Sequence, residues 1–158
     1  MTDAELEIAQ QKTKEFDAQK VYNKFDCSTN WIGYLGELAF HKLLKERNIA
    51  HTWGEFVKQD MNKEDFNIYG QTIDIKTTKN FKLFVQEPSC RIYILARVNE
   101  LEGFKNVFFI GYATKPTLDR WIAEDRIKVD NNRNADDYYV PIKKLKPIEL
   151  LINAFKKG

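Results

Sequence analysis

The spacing of apolar positions changes character along the chain. Residues 2 to 20 are mostly polar, with Leu6, Ala9 and Phe16 as the few apolar anchors, and Thr2-Asp3-Ala4-Glu5 has the form of a capping box. A polar helix is predicted there, forming an N-terminal arm within residues 1–25. From about Trp31 to Arg47, Ile32, Leu35, Gly36, Ala39, Phe40 and Leu43 recur at helical spacing and make one apolar stripe, so this helix is expected to pack on a sheet. From residue 52 the period approaches two, which predicts strands at 52–57, 65–69, 72–77, 81–86, 91–98 and 106–113.

Beyond Thr114 and Pro116 the pattern predicts a short helix through Trp121 to about Asp125. It is followed by an Asn- and Asp-rich loop at 130–137, a strand at 138–142 and a C-terminal helix after Pro147. No internal repeat, low-complexity tract or linker interrupts this order. The expected fold is α/β (α+β), a mixed central sheet flanked by helices, with residues 1–158 as a single domain.

Composition sharpens this picture without redirecting it. A chain of 158 residues with 43% hydrophobic content can build one core without disulfides. Charged residues make up 30% and nearly cancel, to a formal net charge of +2, so any nucleic-acid surface has to be local. Cys27 and Cys90 are far apart and lack histidines at zinc-ligand spacing, as expected of reduced thiols in a cytoplasmic protein. The acidic N-terminus has no apolar h-region, and the apolar run Val107 to Ala113 is too short to cross a bilayer, so no membrane partner is expected.

The segment Asp65 to Lys76 concentrates the candidate chemistry. A type II′ turn at Gly70-Gln71 would pair Tyr69 with Thr72, set Asn67 opposite Asp74 and Asp65 opposite Lys76, and put these four polar residues on one sheet face. Phe66, Ile68, Ile73 and Ile75 take the other face. Cross-strand acid and lysine pairs are ordinary on a wet sheet face. Asp74-Ile75-Lys76, however, is the chain's acid-x-Lys triplet, and it lies beside a second carboxylate. Asp65, Asp74 and the main-chain carbonyl of Ile75 are hard oxygen donors suited to Mg²⁺ or Mn²⁺. Lys76, two positions past Asp74, projects from the same face roughly 6 to 7 Å along the strand, within reach of an attacking water or a phosphate. Glu37 falls at the edge of the helical stripe near Gly33, Phe40 and Leu44, where a carboxylate can face a sheet edge. Gly36 beside it allows a close helix–sheet approach.

Gly36-Glu37-Leu38-Ala39-Phe40 on a helix, Asp65 opening a strand, and Ile73-Asp74-Ile75-Lys76-Thr77 on the next resemble the PD-(D/E)xK, or restriction-endonuclease-like, nuclease superfamily. The resemblance spans roughly residues 31 to 80, with Glu64 in place of the nominal proline before the first Asp and Asp60 as a less favoured competitor for that role. The crossover helix usual after the acid-x-Lys strand is replaced by a strand and a short turn between Thr78 and Arg91. The resemblance implies a Mg²⁺-dependent deoxyribonuclease, expected to be an endonuclease, with Glu37, Asp65, Asp74 and Lys76 as its catalytic set. It also implies metal ligation by Glu37, Asp65, Asp74 and the Ile75 carbonyl, and DNA as substrate; an RNA substrate and a homodimer that cuts both strands stay open.

Other motifs carry less. His41 and His51 stand in neither an H-x-H nor an H-E-x-x-H arrangement and are expected to be surface or packing residues. No Gly-rich phosphate loop, nucleophile elbow or dinucleotide fingerprint is present. Lys79 and Lys82 continue from the site and are candidate phosphate contacts, as are Lys143, Lys144, Lys146, Lys156 and Lys157. Trp31, Tyr34, Trp53 and Trp121 are expected in the core. Two alternatives stay open: a catalytically inactive nuclease-fold module that binds nucleic acid or a protein partner, and an unrelated interaction protein whose hairpin is merely a polar sheet face.

Overall fold

The computed structural model describes residues 1–18, 30–54, 64–86, 88–99, 101, 103, 105–129 and 138–157. Helix α1, Asp3–Ala18, opens with the reciprocal capping box: the Thr2 N–H donates to Glu5 Oε1 at 3.1 Å and the Glu5 N–H donates to Thr2 Oγ1 at 3.1 Å. It lies on helix α2, Asn30–Glu46, where Ala9 is fully buried among Ile32, Tyr34, Leu35 and Val98. Lys42 of α2 pairs with Glu5 at 3.1 Å. Helix α2 stops at Asn48, whose φ of 54° is the left-handed conformation of a helix C-cap. The Ile49 N–H reaches back to the Leu44 carbonyl at 2.9 Å, satisfying an acceptor that the helix end would otherwise leave open.

The central sheet contains β1 (Thr52–Trp53), β2 (Phe66–Ile68), β3 (Gln71–Thr78), β5 (Ile92–Val98) and β6 (Val107–Thr114), in the order β1-β2-β3-β5-β6. Only β3 and β5 run parallel; the other pairs are antiparallel, so the sheet is mixed. Strand β5 is nearly continuously apolar because it is covered on both faces. One face carries Ile73, Ile75, Ile92 and Ile94 against Phe40 and Leu44 of α2 and against Leu151, Ile152 and Phe155 of α4, Ile148–Lys157.

The opposite face is closed by α3 (Lys115–Ala123) and by a second, antiparallel sheet. That sheet contains β4 (Leu83–Val85), β7 (Lys128–Val129) and β8 (Tyr138–Val140), in the order β4-β8-β7. Leu83, Val85, Tyr93, Leu95, Leu118, Trp121 and Val140 form this second core. The parallel pair β3 and β5 is therefore connected through a strand that leaves for the second sheet, where a helix was the usual expectation for a parallel crossover. The molecule is a mixed α/β domain with a central mixed sheet flanked by helices. No described helix is long and apolar enough to cross a membrane. Residues 55–57 of the expected first strand and the expected loop 130–137 lie outside the described residues.

Candidate functional site

The β2–β3 hairpin turns at Tyr69-Gly70. Both residues have positive φ, 51° and 81°, as a two-residue type I′ turn requires. The Gly70 N–H donates to Asn67 Oδ1 at 2.9 Å. This corrects the turn expected at Gly70-Gln71. A bulky residue seldom adopts the left-handed region, so Tyr69 gave no local signal for the first turn position. The register is Phe66↔Ile73, Asn67↔Thr72 and Ile68↔Gln71, which replaces the expected pairings of Asn67 with Asp74 and Asp65 with Lys76. The slip is two residues, and side chains alternate with period two, so every residue keeps its expected face. Asp65 now meets Asp74 instead of Lys76.

Asp65 is fastened on three sides. Its N–H donates to the Ile73 carbonyl at 3.0 Å, its carbonyl accepts from the Gly54 N–H at 2.9 Å, and its Oδ2 accepts from the Ile75 N–H at 2.7 Å. In a strand the N–H and C=O of one residue point the same way, so the Ile75 carbonyl faces the same edge as Asp65. Burial raises the Asp65 carboxyl well above the usual carboxylate range, and the charges of Glu37 and Asp74 push it further up. A side-chain hydrogen bond joins Asp65 and Asp74. Burial also pushes Asp74 up, but the Lys76 ammonium at 2.8 Å outweighs it and holds Asp74 below its ordinary range. The two shifts run in opposite directions, so within the pair Asp65 holds a proton more tightly than Asp74.

Lys76 is held above its ordinary range chiefly by the charge of Asp74. A lysine so stabilised as a cation is suited to orienting a water or countering phosphate charge, and poorly suited to accepting a proton at neutral pH. Its side chain is 42% exposed and that of Asp74 20% exposed, so solvent reaches the cluster.

Glu37 is the buried charged residue of the described core, at 3% exposure. Its Oε1 accepts the Trp53 indole N–H at 3.2 Å, and its charge is felt at Asp65. Helix α2 reaches the sheet this closely because Gly36 sits against Thr77: a Cβ on residue 36 would fall 1.8 Å from Thr77 Oγ1. Even so, among the described residues no three His, Cys, Asp or Glu side chains are grouped to hold a metal ion. Asp65 and Asp74 come together as two carboxylates, with Glu37 adjacent and tied to Trp53.

Three features of this neighbourhood were not expected from the sequence. Trp53 is more than core: it ties Glu37 and stacks on His41, with ring centroids 4.5 Å apart. His41 Nδ1 and His51 Nε2 are 2.8 Å apart, and His51 Nδ1 lies 2.8 Å from the Ile49 carbonyl. The carbonyl can only accept, so His51 donates from Nδ1 and, in the neutral pair, takes the His41 N–H at Nε2. The one legible signal was the spacing of Glu37 and His41, one helical turn apart. Lys79 and Lys82 are exposed on the turn after β3, beside the site. Cys90 is buried near Asp74, and burial pushes its thiol up to about 11, so it is a poor nucleophile. Cys27 and Asp60 lie outside the described residues. Comparison with known protein families and with curated proteins finds no match to this chain.

Proposed function

We propose that the chain is a metal-dependent nuclease of restriction-endonuclease-like architecture that hydrolyses phosphodiester bonds in DNA. The observation that carries this reading is the hydrogen-bonded pair Asp65 and Asp74, on one face of the hairpin, with the Lys76 ammonium 2.8 Å from Asp74. Two adjacent carboxylates suit Mg²⁺ or Mn²⁺, because Mg²⁺ is commonly held by one or two carboxylates with waters and substrate phosphates making up the rest. Asp65, Asp74 and the Ile75 carbonyl would hold the ion, with Glu37 acting through water. When bound, the ion supplies positive charge that polarises a phosphate oxygen and acidifies water.

The residues of the chain do the remainder. A proton on Asp65 would pass to solvent when the ion binds, so that both carboxylates can accept. Lys76 would turn from Asp74 toward the incoming phosphate and orient the attacking water, countering charge that grows as the water oxygen bonds to phosphorus and a bridging P–O bond breaks; the water's proton passes to solvent and the departing oxygen takes one from solvent. Trp53 and the Ile75 N–H hold Glu37 and Asp65 in place.

The test compares supercoiled, linear, branched and single-stranded DNA with and without Mn²⁺, using wild type and Lys76→Ala. Metal-dependent cutting that disappears in the variant is expected; equal cutting by both proteins removes Lys76 from the mechanism. One observation favours a second reading, an inactive nuclease-fold module that binds nucleic acid or a protein: the described residues group two carboxylates and not three. DNA binding without cutting in any metal would select it.

A further inference from the structure

The face of β3 that carries Asp74 and Lys76 continues to Thr78. The parallel register places Tyr93, Leu95 and Arg97 of β5 beside these three residues in turn. Arg97 therefore stands beside Thr78, one two-residue repeat, roughly 6 to 7 Å, past the row of Lys76. Its guanidinium lies over the Phe81 ring, 4.2 Å from the centroid. The Arg97 Nε is buried without a hydrogen-bond partner, and no ion pair to Arg97 occurs among the described residues. Phe81 is 47% exposed.

The turn that presents Phe81 is internally fixed. Thr78 Oγ1 accepts the Asn80 N–H at 2.8 Å and donates to the Asn80 carbonyl at 2.6 Å, while Asn80 Oδ1 accepts the Lys82 N–H at 2.9 Å. Lys79 and Lys82 are exposed on either side of Phe81, and residues 77–86 contain no Asp or Glu. A partly buried guanidinium that meets no carboxylate among the described residues is costly, and stacking on a ring compensates it only in part; a phosphate is an acceptor suited to it. A half-exposed aromatic ring between cations offers a surface to a base, and only an unpaired base has a free face to stack.

We propose that Arg97, Phe81, Lys79 and Lys82 form a shelf that seats a single-stranded stretch of nucleic acid beside the Asp65–Asp74–Lys76 cluster. Arg97 takes a phosphate and Phe81 takes a base. The position of the shelf relative to the scissile bond rests on the nuclease reading above, and it directs that nuclease to unpaired strands or to single-stranded segments flanking a duplex.

The experiment measures fluorescence anisotropy of a labelled oligo-dT and of a blunt duplex of equal length, both in EDTA so that nothing is cut. Wild type is expected to prefer the single strand. Phe81→Ala should weaken single-strand affinity about ten-fold with little change for duplex, while Phe81→Trp, which keeps a stacking surface, retains it. Arg97→Ala should weaken single-strand binding by a similar factor, with thermal unfolding used to check that each variant is folded. Equal affinity for both substrates overturns the shelf, as does a Phe81→Trp variant that behaves like Phe81→Ala. Selective single-strand binding by a protein that cuts nothing would support the shelf and defeat the nuclease reading. Metal-dependent cutting with no single-strand preference would do the reverse.

Discussion

The two faces of β3 set alternate residues of one strand to opposite tasks. On one face Ile73 is fully buried and Ile75 nearly so, under α2 and α4. On the other face Asp74 and Lys76 form an ion pair that water can reach. The apolar face determines where the strand lies, and the polar face acts from that position. Placement and chemistry are thus separable by mutation, although the residues involved are sequence neighbours.

The largest expected effect is on rate. If the nuclease proposal holds, Asp74→Ala should lower metal-dependent cleavage by roughly a thousand-fold or more while the protein stays folded. Ile73→Ala should do the opposite, lowering stability by about 3 kcal/mol in chemical unfolding while the folded fraction stays active, since it opens a cavity and touches no reacting group. A variant of Ile73 that is fully folded yet inactive would break the separation of the faces.

A mutation at the helix–sheet contact tests how the apolar face carries Glu37. Gly36→Ala places a methyl group where Thr77 Oγ1 stands, and overpacking of this kind costs about 2 kcal/mol. Thr77 Oγ1 is buried without a hydrogen-bond partner, so Thr77→Ala loses no hydrogen bond and should restore most of that stability in the double variant. If the two substitutions are simply additive, the contact is not the cause.

Proton occupancy gives a smaller and pH-dependent effect. The folded protein raises the Asp65 carboxyl above its unfolded value, so it binds more protons there than the unfolded chain, and this contribution to stability is lost as pH rises from the ordinary carboxylate range through the raised value. Asp74 is lowered and has the opposite slope below the ordinary range. Asp65→Asn should flatten the decline above that range, measured as urea unfolding against pH, and metal affinity of the wild type should rise over the same interval as the proton on Asp65 becomes easier to displace. The smallest effect is expected at the turn: Tyr69→Asn suits a left-handed position and should stabilise by about 0.5 kcal/mol.

The alternation of β3, the capping box of α1 and the apolar stripe of α2 were all legible because each depends on near neighbours in the chain. The approach allowed by Gly36 was legible for the same reason. What local pattern did not contain was long-range partnership. Leu83 to Val85 read as a strand, but its pairing with Tyr138 to Val140 in a separate sheet depends on a segment more than fifty residues away. Trp53 read as core, and its indole N–H reached Glu37 only once β1 had docked beside β2. The position of the turn is not legible because Tyr69 occupies a backbone conformation that its side chain does not advertise.

The position of that turn bears on how this segment can change in descent. Moving the hairpin register by two residues leaves the same side chains on the same faces, as the difference between the expected and observed pairings demonstrates. A shift by one would send Asp74 and Lys76 into the core and Ile73 and Ile75 into water. Lineages carrying this hairpin can therefore lengthen or shorten it in pairs of residues and keep the cluster, whereas a single insertion within it is a lesion that no substitution elsewhere on the strand readily repairs.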